Sequence, residues 1–577
     1  MVFHVNRRTL LLLSLILAGG LFLRTVHLSE RGLLVPDEGG YYSIPASAAV
    51  HARGWLDWKR KGFPPDVRRE KLIEVLEQAN ANRGVPHASK PLYAVLTILV
   101  FTLFGPSPHL LLLINATLGA ATVGIVFWVA LRLGRTGAGA LLSALALAVS
   151  GFHLIWSRSG FSQAGASFFL VLGMACYAQA VWSGRALSRR WLMASGLGLG
   201  AGFAMHPVVG FYVGACFLTE GYRGVREGKI RQGLVNLILM GLGFGLVLCV
   251  MQLMTWGAGR LLLPEFSWIY NENMVTYFQG LFKAKWKVME SPLVVDTPRA
   301  KLSGYVLMPF LYGEGVVISG LALAGFGLTV IRFARDGWSP RSFFMLAAVV
   351  LPLLLFATVR VKPFPRNIGP LAPVVALLAG AGLEWLWARL GRGGWRWAAV
   401  GLFLMIQYVH MAYLFDIRSG FASAKTWLKR KGGKHVVFLQ PNSDGGLLHA
   451  NGFRDVYRAK LARPGEALEV VQMSWRRADF PPESNAKSYA AVIGGSRIGG
   501  GALDQAWVSR FDFSRPVAAF PNPRTFTLKK IELLHGIQWV IKRTGPQWLA
   551  AWVKNELGGE NRVMVSGTIH LYRMRTP

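Results

Sequence analysis

Acidic residues and charge in general are scarce in this chain. Only 29 of its 577 residues are Asp or Glu, and 16% are charged, against roughly 25% in an ordinary soluble domain. Hydrophobic residues make up 53% of the sequence, and the mean hydropathy is +0.37. The composition excludes a soluble globular enzyme and a disordered chain, and it predicts a membrane protein.

Cysteine is also scarce. The three cysteines, Cys176, Cys216 and Cys249, all lie in apolar stretches, and none belongs to a Cys-x-x-Cys or Cys/His pattern. This excludes a disulfide-stapled secreted module and gives no indication of a zinc site. We interpret the cysteines as small buried hydrophobic residues.

Positive charge, in contrast, is abundant. The chain has 63 Lys and Arg residues and a formal net charge of +34, which in a soluble protein would suggest a nucleic-acid partner. In a membrane protein with many spans the same excess arises because Lys and Arg collect in cytoplasmic loops. We therefore expect contact with membrane lipids and no nucleic acid.

Long apolar runs predict about 11 transmembrane helices, since a span needs about 20 apolar residues. The apolar stretch 191–220 is divided into two helices at His206-Pro207, because proline interrupts the helical hydrogen-bond ladder. The run 91–104 is short for a crossing and fits an interfacial or re-entrant segment. The other spans are expected near 9–28, 109–131, 137–156, 161–182, 232–256, 304–331, 342–359, 366–388 and 395–415.

The positive-inside rule gives these spans an orientation. If 91–104 does not cross, alternation of the spans puts every short basic cluster on the cytoplasmic side, together with the N-terminus. No small-residue cleavage site follows the first apolar run, so we expect this run to be retained as a transmembrane helix and not removed as a signal peptide. The expected location is a cell (inner) membrane. The segments expected on the extracytoplasmic face are 29–90, the turns at 157–160 and at His206, the loop 257–303, the segment 360–366 and the tail.

The tail after about residue 415 has more charge and no long apolar run. Short β-rich runs at 435–439, 468–473, 489–493 and 562–572 alternate with helical segments such as 424–430 and 547–557, which predicts a small α/β domain. We expect two domains: a transmembrane domain at 1–415 with an outer loop at 29–108, and a soluble extracytoplasmic α/β domain at 416–577.

The sharpest local motif is Pro-Asp-Glu-Gly-Gly-Tyr-Tyr at 36–42, just after the first span. Asp37 and Glu38 are adjacent carboxylates at the expected outer membrane surface, where they could supply a general base and a contact to substrate or metal. Tyr41 and Tyr42 are candidates for substrate contacts. The alternative is a solvated loop with ordinary acidic residues.

Four basic residues fall at outer helix ends in the expected topology. Brought together, they would suit a lipid-linked phosphate or pyrophosphate. Individually, an Arg or Lys that flanks a helix can instead extend to lipid headgroups, and a histidine can cap or pack a helix end. The four residues are Lys90, Arg158, His206 and Arg366.

These motifs together resemble those of the GT-C fold glycosyltransferases. The first outer loop begins with Asp37-Glu38 and tyrosines, a Lys-Pro-Leu-Tyr segment follows at 90–93, a Trp-Ser-Arg turn lies at 156–158, and a Pro-Arg-Asn run opens at 365. The likeness is greatest to the protein O-mannosyltransferases of glycosyltransferase family 39 and to their bacterial relative, the lipid A aminoarabinose transferase. It covers about residues 1–415.

The resemblance implies transfer of a sugar from a polyprenyl-phosphate donor to a lipid, glycan or protein acceptor on the extracytoplasmic face, with inversion. Asp37 would then be the general base, and Glu38 its orienting neighbour. Lys90 would hold the donor phosphate, helped by Arg158 and Arg366. Tyr93 and His206 join Tyr41 and Tyr42 as candidate substrate contacts.

The chain departs from the aminoarabinose-type pattern at three places. It has Lys90-Pro91-Leu92 in place of Lys-Pro-Pro-Leu, Ser162-Gln163 where an acid commonly follows the Ser-Arg turn, and Met205-His206-Pro207 in place of Lys-Gly-Pro. The loss of the second acid and of one cation leaves open both the identity of the sugar and the presence of a metal. No cofactor is implied with certainty, and a divalent cation stays an alternative.

Two other function classes remain at this point. A flippase or transporter of lipid-linked glycans would have internal repeats and ionisable residues near the bilayer midplane, and the sequence has neither by inspection. An O-antigen ligase-like protein would use basic residues in a large outer loop, and Lys283, Lys285 and Lys287 in the loop 257–303 fit that description.

Overall fold

The structure is a computed structural model of the chain. It describes residues 6–34, 38–42, 45–46, 48–49, 53, 90–183, 188–262, 309–310, 313–358, 365–391, 393–430, 435–438, 468–474, 518–522 and 567–573. The predicted β segment at 489–493, the predicted helical segment at 547–557, and Lys283, Lys285 and Lys287 lie outside these residues. So does Asp37.

Helices dominate the described part of the chain. Their bounds are α1 (Arg7–Thr25), α2 (Pro91–Phe104), α3 (Pro108–Arg132), α4 (Gly137–Ala148), α5 (Gly151–Ser157), α6 (Gln163–Trp182), α7 (Arg189–Met205), α8 (Gly210–Arg226), α9 (Ile230–Leu262), α10 (Gly315–Arg335), α11 (Pro340–Thr358), α12 (Ala372–Arg389), α13 (Gly394–Met411) and α14 (Gly420–Arg430). Three 3₁₀ segments lie at Pro207–Val209, Pro365–Leu371 and Ala412–Phe415.

Among these residues, eight helices are long and apolar enough to cross a membrane. Helices α4 and α5, which are bent by 57° where they meet, form either a broken span or a re-entrant loop. The prediction of an α-helical membrane protein with many spans is therefore confirmed. The stretch 191–220 is divided where proline predicted it, since α7 and α8 have 17 residues each and lie on either side of His206-Pro207. Helix α2 has only 14 residues.

The chain forms two compact units. The first consists of 1–26, 87–95 and 113–412, and the second of 27–86, 96–112 and 413–577. In the first unit the core is apolar and rich in small residues along α4, α6, α7 and α12. The predicted division into domains at 415 and 416 stays a prediction.

Glycines allow helices of the first unit to approach closely. A Cβ atom added at Gly198 of α7 would lie 2.8 Å from both Cα and N of Gly173 in α6, and one at Gly200 would lie 2.8 Å from the carbonyl oxygen of Phe244 in α9. Small residues at such crossings let membrane helices gain backbone-to-backbone van der Waals contact. Helix α7 is therefore packed on both α6 and α9.

We expect Gly198→Ala to lower the thermal unfolding temperature of the protein in detergent, because the added methyl group forces α6 and α7 apart. Overpacking of this kind costs about 1–3 kcal/mol. The matched control is Gly241→Ala on α9, where an added Cβ meets nothing within 4 Å in the described residues. If Gly198→Ala unfolds at or above the temperature of Gly241→Ala, the close contact of α6 with α7 is wrong.

The second unit contains a four-stranded sheet. Its strands are β1 (His435–Phe438), β2 (Leu468–Ser474), β3 (Ala518–Asn522) and β4 (Gly567–Arg573), in the spatial order β1-β2-β4-β3. Strand β1 is parallel to β2, while β4 is antiparallel to both β2 and β3. Helix α14 packs on β3, where the Trp427 and Phe520 rings meet edge to face at 6.3 Å. Strand β3 falls in a segment that the sequence did not predict to be extended.

Candidate functional site

Glu38 of the acidic motif is fully buried in the second unit. The Arg31 guanidinium lies 2.9 Å from its Oε1 atom and donates a hydrogen bond to it, and the backbone N–H of Leu34 donates to Oε2 at 2.6 Å. A buried carboxylate needs such a partner, because its desolvation is costly. Glu38 therefore anchors the helical turn 38–42 to the segment before it, and Asp37 immediately precedes this anchored turn.

The two tyrosines after Glu38 are also buried in the second unit. Tyr41 is 2% and Tyr42 7% exposed, and the Tyr42 ring meets that of Phe101 edge to face at 5.4 Å. Burial raises the pKa of Tyr42 to about 12, so its hydroxyl stays protonated at neutral pH and can donate a hydrogen bond.

Lys90 and Tyr93 lie at the start of α2, in the first unit. The Lys90 side chain is 5% exposed. The Tyr93 hydroxyl donates to the Gly160 carbonyl at 2.8 Å, while the Asn115 side-chain amide donates to the Tyr93 oxygen at 2.9 Å and to the Ser159 carbonyl at 2.6 Å. These bonds attach the start of α2 to the turn after α5, so Tyr93 acts in the protein's own hydrogen-bond network.

Arg158, in the same turn, points to the end of α1. Its Nη1 atom donates to the carbonyl oxygens of Leu23 and Val26, each at 2.9 Å. The last carbonyls of a helix have no partner inside the helix, and a cation there also suits the helix dipole. The structure thus places Arg158 as a cap on α1.

His206 lies between α7 and the 3₁₀ segment at 207–209, and it is buried. Its Nδ1 atom accepts a hydrogen bond from the Val208 N–H at 3.2 Å, so the neutral ring carries its proton on Nε2. Burial first, and the nearby Lys90 and Arg366 cations second, hold the pKa of His206 well below its usual range. At neutral pH the ring is therefore an uncharged hydrogen-bond donor.

Arg366 belongs with Lys90 and His206, although it lies far from them along the chain. We call these three residues the basic cluster. It lies in the 3₁₀ segment Pro365–Leu371, and its guanidinium carbon is 5.6 Å from the centre of the Phe161 ring. Lys90 and Arg366 both act electrostatically on His206. The structure thus brings together three of the four predicted basic residues, from α2, the α7–α8 turn and the segment before α12.

Two polar groups of the first unit were given no role by the sequence-based predictions. Arg24, inside the first apolar run, donates to the carbonyls of Gly20, Leu147 and Ala148 at 2.8–3.2 Å, and its Nη2 lies 2.8 Å from Nδ1 of His153. An arginine within a predicted span was the available signal. The second group is Ser162 with Gln163, at the start of α6, which the sequence marked only as the replacement of an acid after the Ser-Arg turn.

Within the described residues, no three His, Cys, Asp or Glu side chains lie together as a metal site would need. Asp37 is not among those residues, and the question of a divalent cation stays open.

Residues 90–220 match the family model of dolichyl-phosphate-mannose-protein mannosyltransferases. This segment includes Lys90, Tyr93, Arg158 and His206. The predicted resemblance to that group is confirmed for this part of the chain. A search of curated protein sequences gives no match.

Two solved structures have the same fold. The chain superposes on ArnT from Cupriavidus metallidurans in the apo state with a TM-score of 0.50 and 14% identity, over 80% of this chain and 92% of that chain. It superposes on the oligosaccharyltransferase AglB from Archaeoglobus fulgidus, solved with an inhibitory peptide and a dolichol-phosphate, with a TM-score of 0.50 and 12% identity, over 84% of this chain and 71% of that chain. The fold is that of the GT-C membrane proteins.

Proposed function

We propose that this chain, which has the GT-C fold, is a membrane glycosyltransferase that takes its sugar from a polyprenyl-phosphate donor. The observation that carries the proposal is the match of residues 90–220 to the family model of dolichyl-phosphate-mannose-protein mannosyltransferases. This segment contains the buried Lys90 and His206, and both Lys90 and Arg366 lower the pKa of His206, which supports a cluster of basic residues there. A phosphate group matches such a cluster, since charged donors bind it with short, strong hydrogen bonds.

In the proposed reaction the cluster stabilises the leaving group. The bond between the anomeric carbon and the phosphate oxygen breaks, and the electron pair leaves with the polyprenyl phosphate. Negative charge grows on that phosphate in the transition state, and we assign its stabilisation to Lys90, Arg366 and the Nε2–H of His206. Arg158 contributes indirectly, since it holds the turn at 158–162 on α1.

Asp37 is proposed as the general base. Its carboxylate takes the proton from the acceptor hydroxyl, whose oxygen attacks the anomeric carbon on the face opposite the phosphate, so that configuration inverts. Glu38 is a positioning residue: its ion pair with Arg31 holds the turn that follows Asp37. Tyr41, Tyr42 and Tyr93 support the local structure through buried contacts.

The polyprenyl tail requires a site at the membrane, and the topology expected from the positive-inside rule puts the reaction on the extracytoplasmic face. The acceptor is a hydroxyl of a lipid, a glycan or a protein. AglB, which shares the fold, was solved with a peptide, and a peptide is accordingly one acceptor to test.

The proposal is tested with the full-length protein in lipid nanodiscs, incubated with a panel of radiolabelled undecaprenyl-phosphate sugars and with lipid, glycan and peptide acceptors. We expect transfer of label to one acceptor class, with release of undecaprenyl phosphate. Movement of an intact labelled donor across the bilayer of proteoliposomes, without its cleavage, would instead support a flippase and overturn the proposal.

A further inference from the structure

The start of α6 carries two buried polar side chains that nothing in the described part of the protein satisfies. Ser162 is 0% and Gln163 1% exposed. The Ser162 hydroxyl and both polar atoms of the Gln163 amide have no hydrogen-bond partner among the described residues. An unsatisfied buried polar group destabilises a folded protein by about 1–3 kcal/mol. Three such atoms in one place therefore indicate a functional site.

The Ser162 hydroxyl is not used as a helix cap either. Serine at the residue before a helix normally accepts a hydrogen bond from an N–H of the first turn, yet Ser162 makes no such bond to the 20-residue helix α6. The helix therefore does not use the Ser162 hydroxyl, which can bond to a ligand.

This polar group adjoins the basic cluster, inside the same compact unit. A Cβ atom placed at Gly369, three residues after Arg366, would lie 3.3 Å from Cγ of Gln163. A Cβ atom placed at Gly165, in the first turn of α6, would lie 3.1 Å from the sulfur of Met205, the residue before His206. The Arg366 guanidinium lies over the ring of Phe161, the residue before Ser162.

The hydrogen-bonding groups of the Gln163 side-chain amide indicate which class of ligand would bind here. The Gln163 amide has one acceptor oxygen and an NH₂ donor. A phosphate would satisfy only the NH₂ group, and a cation only the oxygen. Neighbouring hydroxyl groups on a sugar both donate and accept, so they can satisfy both amide atoms and the Ser162 hydroxyl at once.

We propose that Ser162 and Gln163 form the subsite for the sugar of the donor and hydrogen-bond its hydroxyl groups, next to the phosphate held by the basic cluster. This inference rests on the proposed function. It assigns the two parts of the donor separately: uncharged side chains at the start of α6 bind the sugar, and cations bind the phosphate.

The test compares binding of bare undecaprenyl phosphate with binding of undecaprenyl-phosphate mannose, glucose and arabinose to the full-length protein in nanodiscs. We expect the wild type to bind at least one glycosylated carrier more tightly than the bare carrier. Gln163→Leu should remove about tenfold or more of that preference, the equivalent of one good hydrogen bond, and should change the affinity for bare undecaprenyl phosphate less than twofold.

The matched control is Gln179→Leu, on the same helix α6 but near its other end, where the amide oxygen is likewise buried without a partner in the described residues. It should leave both affinities unchanged. Thermal unfolding without ligand is the second readout: Gln163→Leu should unfold no earlier than the wild type, because it removes unsatisfied atoms, whereas a structural role would lower the unfolding temperature.

The outcomes separate the two proposals. If the wild type binds undecaprenyl phosphate but prefers no glycosylated carrier, or if Gln163→Leu keeps the preference, the sugar subsite is wrong and the phosphate site stands. If the wild type binds no undecaprenyl phosphate at all, the proposed function fails, and the subsite that depends on it fails with it.

Discussion

Asp37→Asn is expected to abolish sugar transfer, with a loss of about 10²–10⁴-fold in turnover, the range that general acid–base catalysis contributes. Asparagine has nearly the shape of aspartate but cannot accept the proton of the acceptor hydroxyl. Binding of the polyprenyl-phosphate donor should change little, because the substitution removes the base and leaves the basic cluster intact. The measurement is single-turnover transfer in nanodiscs, together with donor affinity.

The control for this prediction is Asp336→Asn, which removes an acid in the short connection between α10 and α11. It should keep wild-type turnover. Turnover of Asp37→Asn within threefold of the wild type would remove Asp37 from the mechanism, while the phosphate cluster would be unaffected. A lower unfolding temperature of Asp37→Asn would indicate a structural role for the carboxylate, and we expect no such change.

Lys90→Gln should weaken binding of undecaprenyl phosphate by about 10- to 100-fold, since a hydrogen bond to a charged group contributes about 1.5–3 kcal/mol. Lys90 is nearly buried and lies close enough to His206 to act on it, so the lost charge is not replaced by solvent. The catalytic base is untouched, but Lys90 is also assigned to the charge that grows on the leaving phosphate, so turnover at saturating donor should fall as well.

Lys229→Gln is the matched control, because the Lys229 ammonium lies in the connection between α8 and α9 with a side chain that is 67% exposed. It should bind undecaprenyl phosphate like the wild type. If Lys90→Gln and Lys229→Gln bind undecaprenyl phosphate equally well, Lys90 does not hold the phosphate. Arg366→Gln would then show whether the cluster binds phosphate through its other cation.

The helices were predictable because their signals are local. Apolar length marks a span wherever it occurs, and Pro207 divides α7 from α8 whatever packs around it. Strand β3 was missed for the opposite reason: Ala518–Asn522 contains a proline and no β-branched residue. Its extended form depends on pairing with β4, in which Phe520 lies opposite Ile569.

The candidate site was predictable only in part. A charged residue at a helix end can bind a ligand, cap a helix or reach lipid, and sequence alone does not distinguish these roles. The structure assigns Arg158 to the last carbonyls of α1 and Glu38 to Arg31. Gln163 stood out in the sequence only as the replacement of an acid, because a glutamine that begins a helix is ordinary until it is found buried and unsatisfied.

The sequence by itself determined that this chain is an α-helical membrane protein with basic residues at several helix ends, because hydropathy and charge are properties that add up residue by residue. The tertiary structure decided which of those basic residues meet. Lys90, His206 and Arg366 are separated by more than 100 residues along the chain, and only the packing of α2, α6, α7 and the segment before α12 brings them to one place. One of the few acids noted at the outset is assigned in the same way, since it is packing that pairs Glu38 with Arg31.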